Sequence, residues 1–426
     1  MSQSTLPSID PAQLCIGLFV CLDLGWMDHP FTFSSFKIKT DDQIATLRQL
    51  GLQRIQYDPA RSSVAPLDPP AEEEVVAAAE AACDLPPIEH PADPGSDDGV
   101  AELDPLQREF EAVRQQFKLA AESLRSINRH LEFNPKQAQQ EASAMVNGMI
   151  EQLLQSNDVK VHALQERLSE QTYFHSLNVA VLCLTLGRAL ELSVEELQAL
   201  GMGAVFHDAG QTLLPSQLLN RSTPMNRAEQ RLFESHCQEG LRLGQIMELP
   251  AAAMDILQHH HEMLDGSGYP EGLKGEQISK LVRIVAIVNH YDDLCNTTLA
   301  GAAVSPSEAL SQMFAFKRNQ LDDTLLRLFI RCLGVYPPGS IVALSNERIG
   351  MVLAVNQQSS LKPTLLIYDP SVPPESAPML DLRQTPELKI VRAVKISLLP
   401  REVFQYLCPR QHVTYFFDPQ RTEATQ

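Results

Sequence analysis

The sequence lacks the features of a membrane-inserted or disulfide-bonded protein. No apolar run reaches the roughly 18 to 20 residues of a membrane span, since Val179 to Leu186 is soon followed by Arg188 and Glu191. The first residues contain no basic stretch followed by an apolar one, so no signal peptide is expected. The eight cysteines are scattered without a CxxC pair, which is typical of a reducing compartment. We therefore expect a cytoplasmic protein.

Basic residues are also scarce. The 34 Lys and Arg face 53 Asp and Glu, which gives a formal net charge of −19. Nucleic acid polymers and anionic membranes both need a basic face, so neither is an expected partner. If the substrate carries phosphates, bound metal must supply much of the local positive charge.

Sequence patterning divides the chain into four parts and predicts a mostly α fold. Residues 8–60 alternate short apolar runs with turn residues, which indicates a small α+β domain. Residues 61–104 are rich in Ala, Pro, Glu and Asp and indicate an acidic linker. Residues 105–335 carry apolar residues at helical spacing and predict a helical bundle. Residues 336–426 change to period 2 and predict a small β-rich module.

Histidines are concentrated in the predicted bundle, and half of the twelve lie between His175 and His261. His207-Asp208 alone would more often be a buried histidine bonded to its neighbour. Further imidazoles, however, fall on separate predicted helices, at His175, His236 and the pair His260-His261. Imidazole and carboxylate ligands suit first-row divalent metals, and a carboxylate can bridge two ions. The alternative is a polar helix surface that happens to be rich in histidine.

A turn with two glycines follows these histidines closely. Glu262 comes directly after His261, and the run Asp265-Gly-Ser-Gly-Tyr-Pro270 begins three residues later. Glycines let the backbone approach a ligand, and Pro270 fixes the exit of the turn. Tyr269 offers a ring and a hydroxyl to a base or a phosphate.

Together these motifs resemble the HD-GYP family of bacterial cyclic-di-GMP phosphodiesterases. The resemblance spans about residues 165–300, in the family's order and spacing, and is carried by Thr172-Tyr-Phe-His175-Ser176, His207-Asp208-Ala-Gly210, His260-His261-Glu262 and Asp265 to Pro270. The N-terminal part resembles a small domain of unknown function often found ahead of HD-GYP domains, through Gly17 to Val20, Trp26, His29-Pro-Phe31, Phe36 and Ile38.

The resemblance implies a phosphodiesterase, with central HD-type helices, that hydrolyses cyclic-di-GMP to pGpG, with GMP left open as a further product. It implies two divalent transition-metal ions such as Fe or Mn, both in contact with Asp208. The first ion would be held by His175, His207 and Asp208, with position 289 as a further ligand, and the second by His236, His260 and His261. Gly268, Tyr269 and Pro270 would shape the guanine pocket, whereas Asp208 and position 211 would serve catalysis. His259 is expected outside the ligand set.

One departure from the family concerns the first metal. Asn289 stands where the family has an aspartate ligand, and an amide oxygen is a poorer donor than a carboxylate to a divalent ion. We therefore expect weaker binding of the first metal. Asp292 or His290 is a candidate substitute, although Asp292 lies about one helical turn further on.

Three further departures concern the substrate and the metal count. Gln211 stands where the family has a lysine that meets the substrate phosphate, a loss of ~1.5 to 3 kcal/mol for a charge-assisted contact. Gln171 replaces a glutamate of members with three metals, so at most two are expected. Residues 297–301 (TTLAG) replace basic and aromatic residues that grip phosphate.

These departures keep two alternatives open. In the first, the chain is a catalytically weak or inactive relative that senses cyclic-di-GMP, or docks a diguanylate cyclase or another signalling protein. In the second, it hydrolyses a different phosphoester. Whether the chain forms a homodimer is also open.

Overall fold

The computed structural model contains two compact units, 8–66 and 105–417 among the residues it describes. The described residues are 8–9, 13–22, 35–40, 43–44, 47, 55–59, 61–66, 105–155, 159–164, 171–219, 225–296, 303–356, 359–407 and 413–417. Most of the predicted acidic linker, Trp26, the His29-Pro-Phe31 motif and residues 297–301 lie outside them, as does the side chain of Gln171.

The N-terminal unit is a four-stranded antiparallel sheet with the strand order β1-β4-β2-β3. Its strands are β1 (Ser8–Ile9), β2 (Phe19–Cys21), β3 (Ser35–Lys37) and β4 (Ile55–Tyr57). Leu14, Leu18, Val20 and Ile38 are buried in its core. Positions 43, 44 and 47 are helical, which supplies the helical part of the predicted α+β domain among the described residues.

The second unit is mainly helical, which confirms the prediction of a mostly α fold. The helices are α1 (Pro105–Phe133), α2 (Pro135–Gln155), α3 (Gln171–Ala189), α4 (Val194–Phe206), α5 (Ser216–Leu219), α6 (Arg227–Glu234), α7 (His236–Ile246), α8 (Ala251–His259), α9 (Lys280–Asn296), α10 (Pro306–Phe316), α11 (Asp323–Leu333) and α12 (Arg401–Leu407). None of the described helices combines the length and apolarity needed to cross a membrane.

Two helices form the centre of this unit. Every residue of α3 from Ser176 to Leu186 is buried, and so is the stretch Ile284 to Asn289 of α9. A helix that is apolar on all sides is stable only when neighbours surround it. These helices therefore carry their few polar side chains, among them His175 and Asp292, into the protein interior.

A seven-stranded sheet accompanies the helices. Its strands are β5 (Lys160–Leu164), β6 (Ile341–Leu344), β7 (Ile349–Asn356), β8 (Thr364–Ile367), β9 (Met379–Asp381), β10 (Ile390–Ala393) and β11 (Thr414–Phe417). The main path runs β10-β6-β7-β5-β11, with β8 paired to β7 and β9 paired to β8.

The sheet crosses the domain boundary predicted between residues 335 and 336. Strand β5 comes from between α2 and α3, yet it lies between β7 and β11 and pairs antiparallel with both. A lone buried strand leaves its backbone donors and acceptors unpaired, so β5 needs partners from elsewhere in the chain. The periodicity of neighbouring residues does not predict which distant strands β5 pairs with. The four domain ranges remain predictions.

A pair of facing glycines brings the two halves of the histidine cluster together. Gly210 lies on the short 3-10 turn Ala209–Leu213, which packs against α7. A Cβ atom at Gly210 would collide with the carbonyl oxygen of His236 and lie 2.5 Å from the backbone nitrogen of Gly240. The turn that follows Asp208 can therefore touch the helix that begins at His236 only because position 210 has no side chain.

Gly210→Ala is expected to lower the free energy of unfolding by about 1 to 3 kcal/mol or more, because the added methyl group meets backbone that cannot move aside. Denaturant unfolding followed by circular dichroism measures the change. Gly148→Ala is the matched control, since a Cβ there meets nothing within 4 Å. Its helical position should make alanine neutral or stabilising by up to ~1 kcal/mol. Equal stability of the two variants would contradict the close-approach explanation.

Candidate metal centre

Six predicted ligand residues converge in the structure. The ligand atoms of Asp208, His236, His260 and His261 lie within 4.8 Å of one another, and so do those of His175, His207 and Asp208. Asp208 belongs to both groups. The residues come from α3, the end of α4, the start of α7 and the end of α8. Such a cluster of imidazole and carboxylate groups can hold divalent metal.

Four of the five imidazoles are anchored through Nδ1. Each Nδ1 lies at hydrogen-bond distance from an oxygen that only accepts, so Nδ1 carries a proton, and in the neutral form of the ring Nε2 has the lone pair. The pairs are His207 with Ala204 O at 2.8 Å, His236 with Phe233 O at 2.6 Å, His260 with Ile256 O at 3.1 Å and His175 with Asp292 Oδ2 at 2.7 Å.

The free Nε2 atoms face each other in two pairs. His175 and His207 bring theirs to 3.1 Å, and His236 and His260 bring theirs to 3.3 Å. Asp208 lies between the pairs. Its Oδ2 is 3.5 Å from Nε2 of His207, and its Oδ1 is 3.4 Å from Nε2 of His236. Where both rings of a pair are neutral, their opposed lone pairs repel, and a shared cation removes that repulsion.

Two buried polar atoms in the cluster make no hydrogen bond with any described residue. They are Oδ1 of Asp208 and Nε2 of His261. A buried polar atom without a partner costs free energy, and metal coordination would satisfy both atoms. The donor set therefore fits divalent ions.

The protonation states also suit metal binding. Burial lowers the pKa of His207 to about 3 and also lowers the pKa values of His236 and His261, so these imidazoles are neutral near pH 7. Burial alone would raise the pKa of Asp208, but the surrounding histidines, led by His207, hold it well below 3.8. Neutral imidazole and ionised carboxylate are the forms that bind metal.

His175 differs from the other histidines. Burial opposes its charged form, but the hydrogen bond and the charge of Asp292 outweigh that effect and raise the pKa of His175 to about 10. Without metal, both ring nitrogens of His175 therefore carry protons near pH 7. Metal binding at this nitrogen must release the Nε2 proton, which makes the affinity depend on pH.

Asp292 supports His175 and cannot substitute for the aspartate missing at position 289. It is fully buried, its Oδ2 accepts the hydrogen bond from His175, and its Oδ1 accepts one each from Asn178 and Asn296. Such carboxylates orient a metal-binding imidazole. Sequence reasoning missed both asparagines, although Asn178 lies one helical turn after His175 and Asn296 one turn after Asp292.

Asn289 and Gln211 are the two departures from the family whose side chains the structure describes. Asn289 is buried, and its Nδ2 lies 3.5 Å from Oδ2 of the exposed Asp293, one turn further along α9. Burial and, to a smaller extent, the charge of the nearby Lys317 lower the pKa of His290 to about 4. Gln211 is half-buried on the turn after Asp208, where its backbone nitrogen donates to Asp208 O at 2.9 Å.

The Gly-Tyr-Pro turn packs directly on the ligand segment. The ring of Tyr269 stacks on His261, with centroids 4.6 Å apart and planes at 24°. A Cβ at Gly268 would collide with the carbonyl oxygen of His261 and lie 2.5 Å from Met263 N. The absence of a side chain at Gly268 therefore lets the turn pack against the backbone of residues 261–263. Pro270 follows at the exit of the turn and is half-buried.

Glu262 ties this turn to the metal ligands. Its side chain is buried, and it accepts hydrogen bonds from three consecutive backbone nitrogens, those of Glu271, Gly272 and Leu273, at 2.7 to 3.0 Å. His259, next to the ligand pair, instead bonds Asp255 through Nδ1 at 2.7 Å and lies outside both ligand groups.

Two family models match the chain. An HD domain model matches residues 148–325, and a model for a domain of unknown function, DUF3391, matches residues 6–163. Residues 148–325 are therefore similar to HD domains, and the DUF3391 match ahead of them agrees with the resemblance to the HD-GYP family. Both findings bear out that predicted resemblance and the predicted N-terminal domain of unknown function.

Curated relatives of this chain include several phosphodiesterases. Cyclic di-GMP phosphodiesterase PA4108 of Pseudomonas aeruginosa is 29% identical over 367 residues, which cover 85% of each chain. The 3′3′-cGAMP-specific phosphodiesterase 1 of Vibrio cholerae is 32% identical over 38% of each chain. The response regulator RpfG of Xanthomonas campestris, a cyclic di-GMP phosphodiesterase, is 33% identical over 32% of this chain and 38% of its own.

Glu262→Ala is expected to lower the free energy of unfolding by roughly 1 to 3 kcal/mol or more, because three backbone N–H groups lose a charged acceptor. Urea unfolding measures the loss. Glu122→Ala, on the exposed face of α1, is the control and should change stability by less than about 0.5 kcal/mol. The explanation fails if Glu262→Ala is as stable as the control.

Proposed function

We propose that this protein is a metal-dependent phosphodiesterase of the HD-GYP type that hydrolyses cyclic-di-GMP to pGpG. The relative that matches 85% of the chain is a cyclic di-GMP phosphodiesterase, which supports both the reaction and the substrate class. In a chain with a formal net charge of −19, bound metal would supply positive charge next to the phosphate. The cluster around Asp208 offers the ligands for it.

The single observation that carries this proposal is the position of Asp208. One of its oxygens faces the Nε2 atoms of His175 and His207, and the other faces those of His236 and His260. A carboxylate placed in this way suits two divalent ions, with His261 as a further ligand of the second. Bound divalent ions would polarise the phosphate and lower the pKa of a water molecule.

The remaining predicted residues take roles around the two proposed ions. Asn289 would complete the first ion's ligand set through its amide oxygen, because its nitrogen is directed at Asp293. Gly268, Tyr269 and Pro270 would line the guanine pocket, and the ring of Tyr269, held against His261, offers a face for a base. Gln211 would meet the phosphate with a neutral amide. This contact is weaker than that of a lysine, so we expect slow turnover.

The second candidate substrate is 3′3′-cGAMP, because relatives that match the HD segment include 3′3′-cGAMP-specific phosphodiesterases. Both molecules are cyclic dinucleotides with two phosphates, and they differ in one base. The metal cluster treats them alike, so discrimination must come from the base pocket near Tyr269.

Turnover of cyclic-di-GMP is expected from protein purified anaerobically and reconstituted with Mn(II) or Fe(II). Chromatography of the products measures pGpG formation, and 3′3′-cGAMP is assayed in parallel. His207→Ala is the control, since it removes one imidazole from the first group and should abolish turnover. If metal-loaded protein hydrolyses neither substrate faster than His207→Ala, the enzymatic proposal is wrong. Binding of cyclic-di-GMP without turnover would then identify a sensor.

Asn289→Asp is expected to raise metal occupancy and turnover together, because a carboxylate binds a divalent ion better than an amide does. The new carboxylate would lie close to Asp293, and like charges repel. The double variant Asn289→Asp/Asp293→Ala should therefore gain more than Asn289→Asp alone. Elemental analysis gives the metal content per chain. Unchanged metal content in both variants would show that position 289 does not limit occupancy.

A further inference from the structure

Val413 and the strand β11 that follows it contact the residues that support His175. Asn178 Nδ2 donates to the carbonyl oxygen of Val413 at 3.0 Å, and Asn296 Nδ2 donates to the same oxygen at 2.9 Å. In return, the backbone nitrogen of Tyr415 donates to Asn178 Oδ1 and that of Val413 donates to Asn296 Oδ1, both at 2.9 Å. Two helices are thus joined to one strand through two amides.

The same two amides hold Asp292. Asn178 Nδ2 lies 2.8 Å and Asn296 Nδ2 lies 2.9 Å from Oδ1 of Asp292. Each Nδ2 has two protons, so one goes to Asp292 and the other to Val413. All four amide protons and both amide oxygens are therefore paired, as is the carbonyl of Val413, which accepts two bonds.

The backbone of the strand determines which way each amide points. A primary amide can rotate by 180° and present oxygen in place of nitrogen. Here Val413 N–H and Tyr415 N–H require an oxygen, while the Val413 carbonyl requires a nitrogen. A rotated amide would break these bonds and would also direct its oxygen at Asp292, which repels it. With the strand in place, both amides can only donate to Asp292.

Asp292 in turn sets the orientation of His175. Its second oxygen accepts the Nδ1–H of His175 at 2.7 Å, which directs Nε2 of that ring toward His207 and Asp208. The path from the C-terminal strand to the metal ligand contains only one amide and one carboxylate.

We propose that the C-terminal segment Val413–Tyr415 is a positioning element of the metal centre, acting through Asn178, Asn296 and Asp292 on His175. It sets the affinity of the group formed by His175, His207 and Asp208, and leaves the group formed by His236, His260 and His261 unchanged. The inference rests on the proposed metal binding but not on hydrolysis.

Removing the strand is not a clean test, because Tyr415, Phe416 and Phe417 are buried in the main core. Asn296→Asp is preferable. The change keeps the size of the side chain, removes both Nδ2 donors and places a carboxylate against Asp292. Asn147→Asp is the matched control, since Asn147 is also half-buried on a helix and its Oδ1 accepts a hydrogen bond from Gln198, which an aspartate can also accept.

Titration of the full-length protein with Co(II), followed by calorimetry and by the visible absorption of the bound ion, measures the two groups separately. Asn296→Asp is expected to weaken one binding phase by about 10- to 100-fold and to leave the other unchanged. Asn147→Asp should change neither. Lower thermal stability of Asn296→Asp with both affinities intact would mean that the strand is merely structural, and would overturn the proposal.

A second pair of variants shows whether the effect passes through His175. In a His175→Ala background, Asn296→Asp should no longer change the affinity, because its target has been removed. An equal loss in both backgrounds, or a wild type whose metal content does not depend on His175, would also overturn the proposal. Protein that binds metal with this pattern but hydrolyses no cyclic dinucleotide would refute the proposed function and leave this inference standing.

Discussion

The carboxylate of Asp208, enclosed by five imidazoles, is the constraint on which the arrangement of the helices depends. An ionised carboxylate in a largely buried position is costly unless its oxygens are satisfied. Oδ1 of Asp208 has no hydrogen-bond partner among the described residues. The adjacent turn approaches α7 because Gly210 has no side chain, so that His236 comes within 3.4 Å of that oxygen. Close packing here follows from the need to surround one charge.

The ends of the helices supply much of the precision. His207, His236 and His260 each donate Nδ1–H to a backbone carbonyl three or four residues earlier. A carbonyl oxygen has two lone pairs, and Ile256 O accepts the backbone N–H of His260 as well as its imidazole. The hydrogen bond from Nδ1 to a carbonyl at the helix end also selects the tautomer with a free Nε2. Local capping and metal-ligand chemistry become one interaction.

The two halves of the centre are built differently. The half around His236 and His260 is anchored by short-range contacts to backbone, and Glu262 links it to the Gly-Tyr-Pro turn. The half around His175 depends on Asp292, on two asparagines and on the C-terminal strand. Asn289 lies on the same helix as Asp292.

The sequence by itself determined the helical class and the order of the motifs, because these features are encoded locally, and the resemblance of those motifs to the HD-GYP family implied the six residues that the structure brings together. Helical periodicity needs only neighbouring residues, and the HD and Gly-Tyr-Pro motifs have fixed spacings. The tertiary structure decided which carboxylate orients His175, and it placed β5 in a sheet with β11. It also showed that Asn178 and Asn296 meet at Val413. These contacts join residues more than 100 positions apart, and no local pattern records which distant backbone group a buried amide will find.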